Sequence, residues 1–250
     1  MADVIPLSVA RGRTQSPAPV GAVVTTTLPW LGDWDVDDWG RDDTLARVAG
    51  GLARLRWRTS IGGVAHVPTP DPAARRSAGG ALLVANSRRF GLTTWLVALA
   101  LADATGRPVR FAGRPDTAPV GPLARRLGGL LARPDEVAGA LRHGELVVIG
   151  AAGAFDPHAV GTIDHRLVGA AVAVGSPVVP AAVAISPMTR SARIELSGPV
   201  RPPRRRRGPL AELELTQRVA ERLTTMLAEF GGSRTGTPLD WLGLGGVAGT

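Results

Sequence analysis

Two periods of apolar residues divide the chain into elements. Short continuous apolar runs at 81–85 (ALLVA) and 145–149 (ELVVI) predict strands buried on both faces. Strands are also predicted over 59–67, 109–112, 177–185 and 192–197. Recurrence every three or four positions predicts helices. Leu45, Val48, Leu52 and Leu55 give one from residue 44, expected to face the core, with Arg47, Arg54, Arg56 and Arg58 on an outer face suited to a membrane. Others are expected over 91–104, 120–131, 134–142, 160–174 and 210–230. Pro134 suits a first helical turn and Gly144 a stop. The last helix gathers Leu213, Val219, Leu223, Met226 and Phe230 on one broad face. Strands alternating with helices predict an α/β class: one domain, a mostly parallel mixed sheet flanked by helices.

The ends break this pattern. Residues 1–30 are rich in Thr, Pro, Ser and Ala without periodicity and predict a disordered leader. Residues 231–250 hold seven glycines and predict a flexible tail, leaving 31–230 as the domain. At its start Trp30, Trp34 and Trp39 stand among six aspartates, an acidic lead-in whose indoles cap the core. The longest apolar stretch, 167–185, is broken by Gly169, Gly175, Ser176, Pro177 and Pro180. A spanning helix needs about 20 predominantly apolar residues, so this stretch reads as helix, turn and strand. Residues 1–13 lack the basic patch and apolar run of a signal peptide. The expected location is cytoplasmic, or peripheral on the cytoplasmic membrane face.

Composition narrows the chemistry. With 250 residues, 44% of them hydrophobic, the chain can bury a substantial core. The absence of cysteine excludes disulfides, cysteine-ligated zinc, iron–sulfur clusters and a thiol nucleophile. All 29 basic residues are arginine and the net charge is +8, favouring anionic partners. Residues 201–207 (RPPRRRR) carry five of those charges. A solvated loop is the plain reading. The functional one is peripheral membrane contact through Arg204, Arg205, Arg206 and Arg207, at about 1 kcal/mol per basic residue near anionic lipid. Nucleic acid is disfavoured, since no aromatics interleave with the run.

There is no P-loop, no GxGxxG after a strand, no GxSxG elbow and no HExxH, so no cofactor is expected. The histidines are His66, His143, His158 and His165. The last two lie near Asp156 and Asp164 in AFDPHAVGTIDHR, a polar loop or an acid–base pair. No third ligand stands at a standard spacing, so no metal site is expected.

Four blocks in order carry a resemblance. GGALLVANSRRFGL is an apolar strand leading to Asn86. RPVRFAGRP and LGGLLARPDEVAGAL hold a second strand and Arg133. LRHGELVVIGAAGAF supplies Leu141, Gly144, Glu145 and Gly153, and GSPVVPAAV supplies Pro177 and Pro180. Together, 39–230 resembles the glycerophospholipid (lysophosphatidic acid) acyltransferase family, the phospholipid/glycerol acyltransferase domain. The resemblance implies that family's fold and a role in lipid metabolism. It also implies an acyl-CoA or acyl-carrier-protein donor, a lysophospholipid or other anionic lipid acceptor, and substrate binding by Arg88, Arg89, Arg133 and Gly153.

The departures fall on the chemistry. In that family's N-H-x4-D block the histidine takes the acceptor hydroxyl's proton and the aspartate holds the imidazole. Here Asn86 is followed by Ser87, and Leu92 or Thr94 stands at the aspartate position. Residues 150–155 (GAAGAF) replace the family's F-P-E-G-T-R. A positioned base is worth roughly 100- to 10,000-fold, and a serine without a partner supplies none. The expectation is an inactive or strongly impaired acyltransferase relative. Two alternatives stand beside it: a noncatalytic scaffold binding a lipid, acyl ligand or protein, and an active enzyme using a relocated His158 or His165. The second is conceivable because the loop with Asp156 and Asp164 follows a strand's carboxyl end, where α/β sheets bind ligands.

Overall fold

The computed structural model describes residues 36–69, 79–86, 92–113, 120–152, 159–186, 189–201 and 208–230. The expected leader, the expected tail, Trp30, Trp34 and the Arg204–Arg207 run lie outside these residues. In chain order the elements are α1 (Asp43–Arg56), β1 (Arg58–Gly62), β2 (Ala81–Ala85), α2 (Leu92–Thr105), β3 (Val109–Gly113), α3 (Gly121–Arg126) and β4 (Gly129–Leu131). There follow α4 (Pro134–Arg142), β5 (Leu146–Gly150), α5 (His165–Val174), β6 (Val178–Ser186), β7 (Ser191–Leu196) and α6 (Pro209–Glu229).

The strands form one seven-stranded sheet in the order β1-β7-β6-β2-β5-β3-β4. The five from β6 to β4 run parallel; β7 is antiparallel to β6, and β1 is parallel to β7. Side-chain alternation gives the sheet two buried faces. Leu82, Val84, Val147 and Ile149 point to one, covered by α4, α5 and α6. Ala81, Leu83, Ala85, Leu146 and Val148 point to the other, covered by α2. Fully burying a leucine such as Leu82 or Leu83 stabilises the fold by about 1.5–3 kcal/mol. The chain is thus an α/β domain with a mostly parallel sheet between helices.

Five differences from expectation have physical causes. The predicted core face of α1 points outward: Val48, Leu52 and Leu55 are exposed, and Ala46, Gly50 and Ala53 are buried. The buried face of α1 is made of small residues, and a carbon added at Gly50 would be in ordinary contact, at 3.5 Å, with Leu99 of α2. β1 ends early because Gly63 takes a left-handed φ of 72° and leads into a 3₁₀ turn at Val64–His66. Residues 120–131 hold a short helix and then β4, which pairs with β3. Residues 160–163 are not helical. Thr162 exchanges backbone hydrogen bonds of 2.7 and 2.9 Å with Ala152, and Asp164 caps α5 by accepting from the N–H of Arg166. Finally, Leu213 is exposed on α6, whose buried face is Ala211, Leu215, Val219, Leu223, Met226 and Leu227.

Trp39 does cover the core from its edge. It packs on the α4 side of the sheet and meets His143 edge-on at 5.8 Å. The approach requires Gly139, where an added carbon would stand 2.7 Å from the indole.

Candidate functional site

The carboxyl ends of β2 and β5 bring the first and third sequence blocks together. Ala85 pairs with Gly150 on one side and Ala181 on the other, and the Ala151 N–H donates to the Ala85 carbonyl at 2.8 Å. One residue past β2, Asn86 is buried. Its Nδ2 donates to the Val183 carbonyl at 3.0 Å, and its Oδ1 accepts from the Val183 N–H at 2.7 Å. The side-chain amide thus pairs with β6 as a backbone residue would and extends the β2–β6 seam beyond Ala85. A primary amide has one donor group and one acceptor oxygen to offer, and both serve β6. Through these two hydrogen bonds Asn86 fastens the exit of β2 to β6.

Both neighbouring helices begin at this end of the sheet. α2 descends from it with Thr93 and Thr94 buried in its first turn. Thr94 reads from sequence only as a lost aspartate, and Thr93 is passed over; two hydroxyls opening an otherwise apolar helix are the signal that could have found them. α5 begins at the same end, with Asp164 as its cap and His165 as its first residue. His165 is therefore the described histidine nearest in the fold to the expected site, while Asp164 is committed to the helix. His143 is at the other end of β5, with Nδ1 2.9 Å from the Gly139 carbonyl. Arg133 is exposed and precedes α4 at the carboxyl end of β4. Three strand steps separate it from β2, about 14 Å at a spacing of about 4.8 Å. Ser87, Arg88, Arg89, Gly153, Asp156 and His158 lie outside the described residues. Among the described residues no cluster of three or more His, Asp or Glu is placed to hold a metal ion.

Glu145 matches a sequence block yet lies away from this end. It precedes β5 and faces Arg110 of β3, whose Nε is 3.4 Å from its Oε2. Arg110 is 1% exposed, and its Nη2 also pairs with Asp37. Burial pushes the Asp37 carboxyl up. Hydrogen bonds from Arg110, Arg41 and Trp39, with the charge of Arg110, outweigh that and hold it below the ordinary carboxylate value. Arg107, just before β3, donates to the carbonyls of Pro68, Gly79 and Gly144 at 2.8, 2.9 and 2.9 Å. Burial lowers its pKa, partly opposed by the charge of Glu145. These charges tie the amino ends of the strands together.

Neither a protein-family profile nor a curated protein matches the chain. Among solved structures it is similar to the 1-acyl-sn-glycerophosphate (LPA) acyltransferase PlsC from Thermotoga maritima, with a TM-score of 0.52 at 18% identity. The match covers 76% of this chain and 78% of that one. The fold is acyltransferase-like. At that identity the likeness concerns the path of the chain, so the chemistry rests on the residues themselves. No described helix is long and apolar enough to cross a membrane.

Proposed function

We propose that this chain is an acyltransferase-like protein of lipid metabolism that binds an acyl or phospholipid ligand at the carboxyl ends of β2 and β5, with acyl transfer abolished or strongly impaired. The observation that supports the reading is the hydrogen bond from the Ala151 N–H to the Ala85 carbonyl, next to Asn86, which sets the first and third sequence blocks side by side on an acyltransferase-like sheet. The residue after Asn86 is Ser87, where the family resemblance calls for a base. A hydroxyl does not deprotonate an alcohol at neutral pH, so a ligand would be held there without fast turnover. Arg88, Arg89 and Arg133 are the candidate anion contacts and Gly153 the candidate close approach, on a domain of 31–230. Arg204–Arg207 would add attraction to anionic headgroups on the cytoplasmic membrane face.

The test has two arms. Mass spectrometry of purified protein is expected to find a co-purifying acyl lipid, and its absence counts against binding. Acyl transfer from acyl-CoA and from acyl-carrier protein to lysophospholipids is then measured. Turnover at ordinary enzyme rates would refute impairment. A second reading is favoured by the place of His165 at the start of α5: an active enzyme with a relocated base. Under that reading turnover disappears in His165→Ala or His158→Ala.

A further inference from the structure

Between α1, α2 and the start of β3 lies a cavity of about 300 Å³, at the lower end of the range that holds small ligands. It follows α2 toward its last turn and reaches Val109, the first residue of β3, at the end of the sheet opposite Asn86.

The charges around it do not balance. Four guanidiniums, Arg41, Arg47, Arg54 and Arg107, line it against the two carboxylates of Asp43 and Asp103, an excess of two positive charges. Arg54 is committed to Asp103, with contacts of 2.9 and 2.6 Å. Arg107 is committed to its three backbone carbonyls. Arg47 is exposed.

Arg41 differs from these. Its side chain is 13% exposed, and its Nε and Nη1 are buried with no hydrogen-bond partner among the described residues. Asp43 Oδ1 stands 3.4 Å from Nη1, but the Asp43 side chain is 71% exposed, so water screens the attraction. Burial pushes the Arg41 pKa down; Asp43, Asp37 and Glu145 oppose this and Arg110 reinforces it. A guanidinium nevertheless stays charged at neutral pH. Buried donors left unspent on a cation are costly until an acceptor meets them. The other buried atoms without a partner, Asp42 Oδ2 and Arg126 Nη1, belong to residues that do not line the cavity.

We propose that this cavity binds a small organic phosphate. A phosphomonoester carries a charge near −2 at neutral pH, roughly the local excess, and its oxygens accept from the unspent donors of Arg41. Arg47 adds attraction from the exposed side. Trp95, Leu99 and Leu127 give the organic part an apolar wall. The site lies away from the carboxyl ends of β2 and β5, so it does not depend on the lipid reading of that end.

Phenyl phosphate combines the two features. Isothermal titration calorimetry of the full chain is expected to show one molecule bound per chain, more tightly than inorganic phosphate, and no binding of uncharged phenol. Arg41→Met should weaken phenyl phosphate by at least about 10-fold, the worth of a hydrogen bond to a charged group. Arg47→Gln changes an exposed side chain and tests the site without disturbing buried packing; a loss of about 2- to 5-fold is expected. The proposal is overturned if phenyl phosphate fails to bind at millimolar concentration, binds no better than inorganic phosphate, or binds Arg41→Met and Arg47→Gln as it binds the wild type. Loss of binding in Arg88→Gln/Arg89→Gln with binding retained in Arg41→Met would put the anion at the carboxyl ends, overturning this site while supporting the other.

Discussion

The two ends of the sheet use polar residues in opposite ways. At the amino ends, Arg110, Asp37, Glu145 and Arg107 satisfy one another and nearby carbonyls. Among the described residues at the carboxyl ends of β2 and β5, the buried polar groups are an amide and two hydroxyls: Asn86, Thr93 and Thr94. The first end is a charged clasp; the second has one amide lock and the starts of two helices. Residue type alone does not separate these roles. A glutamate of a family-like block serves the clasp, and an asparagine of another aligns strands.

That contrast breaks if the clasp proves dispensable. Arg110→Met is expected to be the most damaging change, losing about 3–5 kcal/mol in urea unfolding because it strands Asp37 and Glu145 without their cation. Asn86→Ala tests the lock. It leaves the Val183 N–H and carbonyl unpaired, and at about 1–3 kcal/mol per buried group a loss of at least about 2 kcal/mol follows. If Asn86→Ala unfolds at the wild-type urea concentration, Asn86 is no lock. Gly139→Ala probes the edge of the clasp. Overpacking against Trp39 by about 1–3 kcal/mol opposes a helix-propensity gain of at most about 1 kcal/mol, so a net loss near 1 kcal/mol is expected, with altered near-ultraviolet dichroism.

The smallest effect is a pH dependence. The folded Asp37 carboxyl lies below its ordinary 3.8, so its contribution is complete above that value and is lost as pH falls through the folded value. Wild-type melting temperature should therefore drop more steeply in that acid window than that of Asp37→Asn. Parallel curves would remove Asp37 from the clasp.

The sequence makes the sheet legible because buried parallel strands are continuous apolar runs. β2 and α4 fall on their expected residues. β4 is hidden because Gly129–Leu131 is too short to interrupt a helical pattern. The buried face of α1 is misread because large apolar residues dominate periodicity, while Ala46, Gly50 and Ala53 make the contact. At the site, the proximity of Asn86 and Ala151 follows from block order on a parallel sheet. The partners of Asn86 do not, since Val183 is 97 residues away and no spacing rule links an amide to a backbone that distant. Glu145 misleads for a related reason: its partner Arg110 enters from another strand.

The amide that fastens β2 to β6 has an evolutionary corollary. Aligning strands and moving protons fall to different atoms, so selection for a foldable chain can preserve the fastening while reactivity drifts away. A lineage can lose its reaction this way and keep its architecture.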